Sequence, residues 1–261
     1  MARALPSDGF EEQPRRPDDR RADAPRTADF LQAVGFQMGL GPLTAGALAR
    51  AAAQVLPVDG VGLSLLVDEL RLPLGASTAA AEQAEELQTT LGDGPCLDAA
   101  RTKTGYQADL DELRNRWPLY AEELTRRTPY RSAASIPVRT PDGHVFAAMD
   151  FYAEVPQLRG LLDLDEVERE IGAPLGALLD VCMHPVRIAG TDAVLPEWYV
   201  DATERRQDVW IATGMVMGRE HQASDDALSL LRGFAYSHDR SLDDVAGDIV
   251  QGVLRVRDIA E

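Results

Sequence analysis

The residues able to do chemistry are few and widely spaced. Cys96 closes the run Gly92-Asp-Gly-Pro-Cys96, where two glycines allow a tight turn and Pro95 opens a helix. A thiol at a helix start is acidified by the dipole, which fits redox sensing or covalent ligand attachment. The other reading of Cys96 is a small buried hydrophobe. Cys182 is too far along the chain to form a CxxC pair, and two cysteines build no disulfide framework. His144, His184, His221 and His238 lack metal-ligand spacing, so no metal is expected. Gly39-Leu-Gly41 lacks the third glycine of a dinucleotide loop, and Gly62-Leu-Ser64 lacks the closing glycine of a nucleophile elbow. Neither catalysis nor a cofactor is expected.

A second constellation lies near the C-terminus. Arg206, Thr213 and Met217 fall at intervals of seven and four and share a helix face. Arg232, Tyr236 and Arg240 recur every four residues. Such a row can pair with phosphate and stack on an unpaired base, the usual way single-stranded RNA is read. Alternatively, Arg232 and Arg240 pair with acids such as Asp225, Asp226 or Asp239, and Tyr236 caps the core.

Charge sharpens that choice. The 261-residue chain carries a formal net charge of −17, which discourages general attraction to nucleic acid or anionic membranes. Lys103 is the only lysine, so anion recognition falls to arginine. Residues 197–261 hold seven arginines against thirteen acids. No apolar run is long enough to cross a membrane, and the N-terminus has no apolar stretch of the secretory kind, so a cytoplasmic location is expected.

Several elements must position these residues. Residues 1–27 are poor in large apolar side chains and read as a solvated tail. Helical periodicity runs from Phe30 to Leu56 with a break at Gly41-Pro42. The period then changes to that of two strands, Val61–Val67 and Leu70–Leu74, around a turn at Asp68-Glu69. A helix over Ala79–Leu91 precedes the short one opened by Pro95. Tyr106–Leu110 reads as a strand and Trp117–Arg127 as a helix. Arg131–Val138 and Val145–Ala153 read as a hairpin around Thr140-Pro-Asp-Gly143. An amphipathic helix over Asp165–Met183 closes an α+β domain. Beyond a linker at 184–196 the pattern is helical only. Trp198–Gly218 is one helix. Ser224 is expected as the N-cap of a second, with Ala227, Leu230, Leu231 and Phe234 inward. Ser241-Leu242-Asp243-Asp244 starts a third, with Leu242, Val245, Ala246, Ile249 and Val253 inward.

The ordered series Leu87-Gln88, Gly92-Asp-Gly-Pro-Cys96, Asp98-Ala99, Asp109-Leu110, Arg116-Trp117-Pro118, Arg131-Ser132, Ile136-Pro137 and Phe151-Tyr152 resembles the GAF domains of actinobacterial GAF–ANTAR regulators. Downstream, Arg206, Val209, Ala212-Thr-Gly-Met-Val-Met217, Ser224, Ala227, Leu230-Leu-Arg232, Arg240-Ser-Leu242, Val245-Ala246 and Ile249-Val250 resemble the three-helix ANTAR domain. The resemblance implies a GAF sensor at 28–183, with an antiparallel sheet flanked by helices, and an all-α ANTAR bundle at 197–261. It also implies that the bundle binds paired RNA stem-loops as a homodimer and prevents transcription termination. Arg206, Thr213, Met217, Arg219, Arg232, Tyr236, Arg240 and Ser241 are then the candidate RNA contacts, and Cys96 the candidate sensor residue. Thr213 stands where ANTAR domains often carry lysine, which removes a phosphate contact. With the acidity of the bundle, it supports an alternative in which the bundle docks a protein partner such as a transcription factor. An unidentified small molecule is the expected GAF ligand, and no membrane partner is expected.

Overall fold

The computed structural model describes residues 27–39, 41–67, 70–183 and 196–259. The tail up to residue 26, the Asp68-Glu69 turn and the linker at 184–195 lie outside the described residues.

Two helices, α1 (Thr27–Met38) and α2 (Ala45–Val55), precede the sheet. The hydroxyl of Thr44 caps α2 by accepting from the backbone N–H of Ala47 at 3.1 Å. Strands β1 (Gly60–Val67), β2 (Leu70–Ala76), β3 (Tyr106–Ala108), β4 (Ser132–Arg139) and β5 (Val145–Ala153) form an antiparallel sheet in the order β2-β1-β5-β4-β3. Between β2 and β3 come α3 (Ala79–Leu91) and α4 (Pro95–Thr102). Gly92 ends α3 in the left-handed conformation at φ +67°, and Pro95 opens α4.

The strands alternate between two different interiors. Val61, Leu63 and Leu65 of β1 join Leu72, Ile136, Met149 and Phe151 in an apolar layer closed by Phe30, Leu48, Leu175 and Leu179. Each large side chain there contributes about 1.5–3 kcal/mol by burial. The opposite face carries Ser64, Arg71, Ser135, Asp150 and Tyr152 under α3, α4 and α6 (Pro118–Arg127), all of them buried.

The C-terminal unit comprises α9 (Glu197–Glu220), α10 (Ser224–Ser237), α11 (Leu242–Val250) and a last turn, α12 (Val256–Ile259). Val209, Ala212, Val216, Ala227, Leu231, Val245 and Ile249 form its own core. Ser241 caps α11 by accepting from the N–H of Asp244 at 3.0 Å.

Local expectations need correcting in five places. The strand at Tyr106 stops at Ala108, because Asp109 turns the chain into a further helix, α5 (Leu110–Arg116), and its carboxylate accepts the N–H of Leu158 at 2.9 Å. The helix closing the sheet domain is not uniform: α7 (Leu164–Val167) and α8 (Ala173–Met183) flank a π-helical turn at Glu168–Gly172. Thr27 hydrogen-bonds to Glu170 within that turn. Ala223, not Ser224, occupies the N-cap of α10, and Ser224 is its first helical residue. Val253 is 71% exposed, because α11 ends at Val250 and Gly252 turns the chain at φ +76°. Leu230 and Phe234 are only partly buried, and Leu228 and Ala235 fill the inward positions beside Ala227 and Leu231.

Candidate functional site

Six polar side chains from β1, β2, α3 and β5 meet inside the second layer. Arg71 Nη2 lies 2.5 Å from Glu85 Oε2 and 2.5 Å from Asp150 Oδ2, and donates to Ser64 Oγ at 2.9 Å. Tyr152 donates to Glu85 Oε1 at 2.5 Å. Gln88 Nε2 donates to Asp150 Oδ2 at 3.3 Å and to the Tyr152 hydroxyl at 2.9 Å. The Gln88 carbonyl in turn accepts the N–H of Cys96 at 3.1 Å. Glu85 reaches the sheet only because β1 offers Gly62 there: an added Cβ would lie 2.2 Å from the Glu85 carboxyl carbon.

One guanidinium therefore faces two acids. Burial, reinforced by the Glu85 carboxylate, holds the Asp150 carboxyl well above the usual aspartate range, against the pull of Arg71. Asp150 thus keeps its proton to higher pH, which lowers the net charge locked in the layer. Burial likewise pushes the Cys96 thiol and the Tyr152 phenol up. Cys96 is fully buried, and its thiol is the reverse of the acidified sensor that its place at a helix start suggests.

Helix α3 carries this cluster on one side and the C-terminal unit on the other. Thr90 Oγ1 accepts the N–H of Leu242, the first residue of α11, at 3.3 Å. The Arg232 guanidinium of α10 lies against Gly92, where an added Cβ would come within 2.5 Å of it. Arg127 at the end of α6 pairs with Asp239, and Arg126 approaches the same carboxylate at 3.9 Å. Two clefts of about 250 and 260 Å³ open along this seam, the first between β2, α3 and α11 and the second between α3 and the α10–α11 corner. Glu82, Glu86, Asp243 and Asp244 line the first, so like charges face one another across it.

The family model for the GAF domain matches residues 44–183. The chain belongs to the GAF domain family. A solved structure to which it is similar is the GAF domain from a phosphoenolpyruvate-protein phosphotransferase (ptsP) of Coxiella burnetii, 11% identical over 59% of this chain and 91% of that one, with a TM-score of 0.40. No curated protein matches the sequence.

The GAF domain thus contains the buried cluster and contributes half of the seam. The candidate RNA contacts divide into three groups around it. Arg206 and Thr213 are buried, the Thr213 hydroxyl donating to the Val209 carbonyl at 2.7 Å. Arg206 Nη1 stops 4.0 Å from Asp243 Oδ1, and none of its three guanidinium nitrogens has a hydrogen-bond partner among the described residues. Burial pulls its pKa down to about 10, opposed by Asp243. Arg232, Tyr236, Arg240 and Ser241 are half-buried along the seam with the GAF domain, and the last three line the second cleft. Arg240 donates to Asp248 at 2.7 Å. Met217 packs against the C-terminal core, and Arg219 is exposed in the last turn of α9.

Arg71, Glu85 and Asp150 carried no expectation from sequence. Their signal was there: an arginine within Leu70–Leu74 and an aspartate in the middle of Val145–Ala153 are charges in otherwise apolar strands. Among the described residues no helix is long and apolar enough to cross a membrane, and no group of His, Cys, Asp and Glu side chains is placed to hold a metal ion.

Proposed function

We propose that the protein is a non-catalytic, signal-responsive regulator. In this reading its GAF domain controls an ANTAR-type output unit that binds RNA stem-loops and prevents transcription termination in the cytoplasm. The observation that carries the reading is the double duty of α3. Its Glu85 and Gln88 belong to the buried charge cluster, while Thr90 and Gly92 hold α11 and α10. A small ligand that rearranges the cluster shifts α3, and with it the docking of the output helices. The row Arg232, Tyr236 and Arg240 supplies two guanidinium forks and one aromatic ring, the chemistry that reads phosphate and unpaired bases.

Large apolar side chains exposed on α9 (Trp210, Ile211 and Met215) and on the terminal GAF helices (Phe36 and Val181) support a homodimer. The same α9 patch, with the buried Thr213 and the acidic bundle, favours a second reading in which the output unit docks a protein such as a transcription factor. Gel shifts with a two-stem-loop RNA across a salt series separate the two. Nanomolar binding that weakens steeply with salt, and that is lost in the Arg232→Ala, Arg240→Ala double variant, supports RNA. No binding at low salt supports the protein partner.

A further inference from the structure

We propose that the docked arrangement is the RNA-excluding state of this protein, in which the GAF domain holds the output arginines in the seam until α3 releases α10 and α11. The inference rests on the RNA reading above and adds how access is controlled.

Arg206 is the central observation. On α9 it lies between Ala202, which packs into the apolar layer of the GAF domain, and Val209, which packs into the C-terminal core. It is 1% exposed, at the junction of two hydrophobic interiors, with Asp243 4.0 Å away and no hydrogen bond from any guanidinium nitrogen among the described residues. A guanidinium has five N–H donors, and burying it unbonded is among the most costly placements a side chain can have. Docking thus stores a cost in the residue that would serve best outside the seam, as a bidentate partner for phosphate.

The remaining contacts describe a seam close to balance. It is closed by Ala202 and Tyr199 of α9 packing on the GAF apolar layer, the Thr90–Leu242 hydrogen bond, the Arg127–Asp239 pair and the seating of Arg232 on Gly92. It is opposed by the buried Arg206 charge, which no hydrogen bond among the described residues compensates. A switch needs two states separated by an amount that one ligand can supply, and a seam held by one small apolar contact and a few polar ones against buried charge meets that condition. Opening turns Arg206, Arg232, Tyr236 and Arg240 outward together, which converts an acidic bundle into one with a locally basic face.

The test uses the full chain with Thr90→Arg, which forces bulk into the seam, and separately with Arg127→Glu, which repels Asp239. Arginine modification by phenylglyoxal, read at Arg206 by peptide mass spectrometry, reports opening without RNA. Gel shift with a two-stem-loop RNA reports access. The expected result is that both variants label Arg206 and bind RNA about tenfold or more better than the unsubstituted protein. Faster labelling with unchanged RNA affinity overturns the inference and leaves the RNA reading standing. Faster labelling with no RNA binding by any of the proteins at low salt removes the RNA reading, and the inference with it. Unchanged labelling in both variants shows that the seam does not bury Arg206, and overturns the inference alone.

Discussion

Arg206 stops 4.0 Å from the Asp243 carboxylate, too far to hydrogen-bond and too deep to reach water. Replacing a poorly compensated buried charge with an apolar side chain of similar volume is often stabilising. Arg206→Met is therefore expected to raise stability by about 1–4 kcal/mol in urea unfolding. The sign of the pH effect follows from a folded pKa lowered to about 10. The penalty is fully present below that value and fades as pH rises through and beyond it, so the gain stays constant between pH 6 and 9. A loss of stability, or a gain that varies across that range, would contradict this account.

The buried cluster makes a prediction of opposite character. Arg71→Met leaves Glu85 and Asp150 without their shared cation and is expected to cost about 3–5 kcal/mol. Asp150→Asn keeps the shape and removes a carboxyl that burial already holds protonated above its usual range. A raised folded pKa means that Asp150 contributes most in acid, and that the contribution is lost as pH climbs from the ordinary aspartate range. The stability of Asp150→Asn relative to the native protein should therefore rise with pH from about 4. Denaturant titrations at several pH values read the difference directly, and a difference that falls with pH would refute it.

Two glycines give a paired test of packing. Gly62→Ala drives a methyl group into the Glu85 carboxyl and is expected to cost about 1–3 kcal/mol. Gly214→Ala, in the middle of α9 with nothing within 4 Å of the added carbon, should instead gain about 0.5–1 kcal/mol. Thermal unfolding of the two variants side by side should give shifts of opposite sign.

Cys96 is fully buried and its thiol is raised by burial. Disulfide-exchange labelling at Cys96 in the native protein should run on the order of a hundredfold slower than in urea, because it awaits opening of the layer. Labelling at the rate of an exposed thiol would restore Cys96 as a sensor residue.

Most elements were legible in the sequence because hydrophobic period and turn chemistry are local. Ala79–Leu91 and Val145–Ala153 are found at the residues where the pattern places them. The buried cluster was not, because its charges come from β2, α3 and β5, and only the sheet order brings them together. Asp150 lies 79 residues from the arginine it contacts. The Arg206–Thr213 spacing shows how periodicity can mislead. Intervals of seven put the two on one face, yet that face is buried along its length, at the GAF seam beside Ala202 and in the C-terminal core beside Val209 and Val216. Arg232 and Tyr236 do share α10, but the helix ends at Ser237 and Asp239 is left-handed at φ +54°. Arg240 therefore follows beyond it, meeting Tyr236 in the lining of the second cleft. What the spacing could not convey is that the neighbouring GAF helix lies against them.

The order β2-β1-β5-β4-β3 leaves β2 at one border of the sheet, and α9 packs against it. Unpaired strand borders template association between molecules, and proteins guard them with whatever lies to hand. Helix α9 of the C-terminal unit thus guards that border while it anchors the unit to the GAF domain. Its removal would uncover a border on which a second molecule can nucleate aggregation. Should the unit undock as proposed, solubility would depend on the same helix, and the undocked form would be safest when brief or promptly bound.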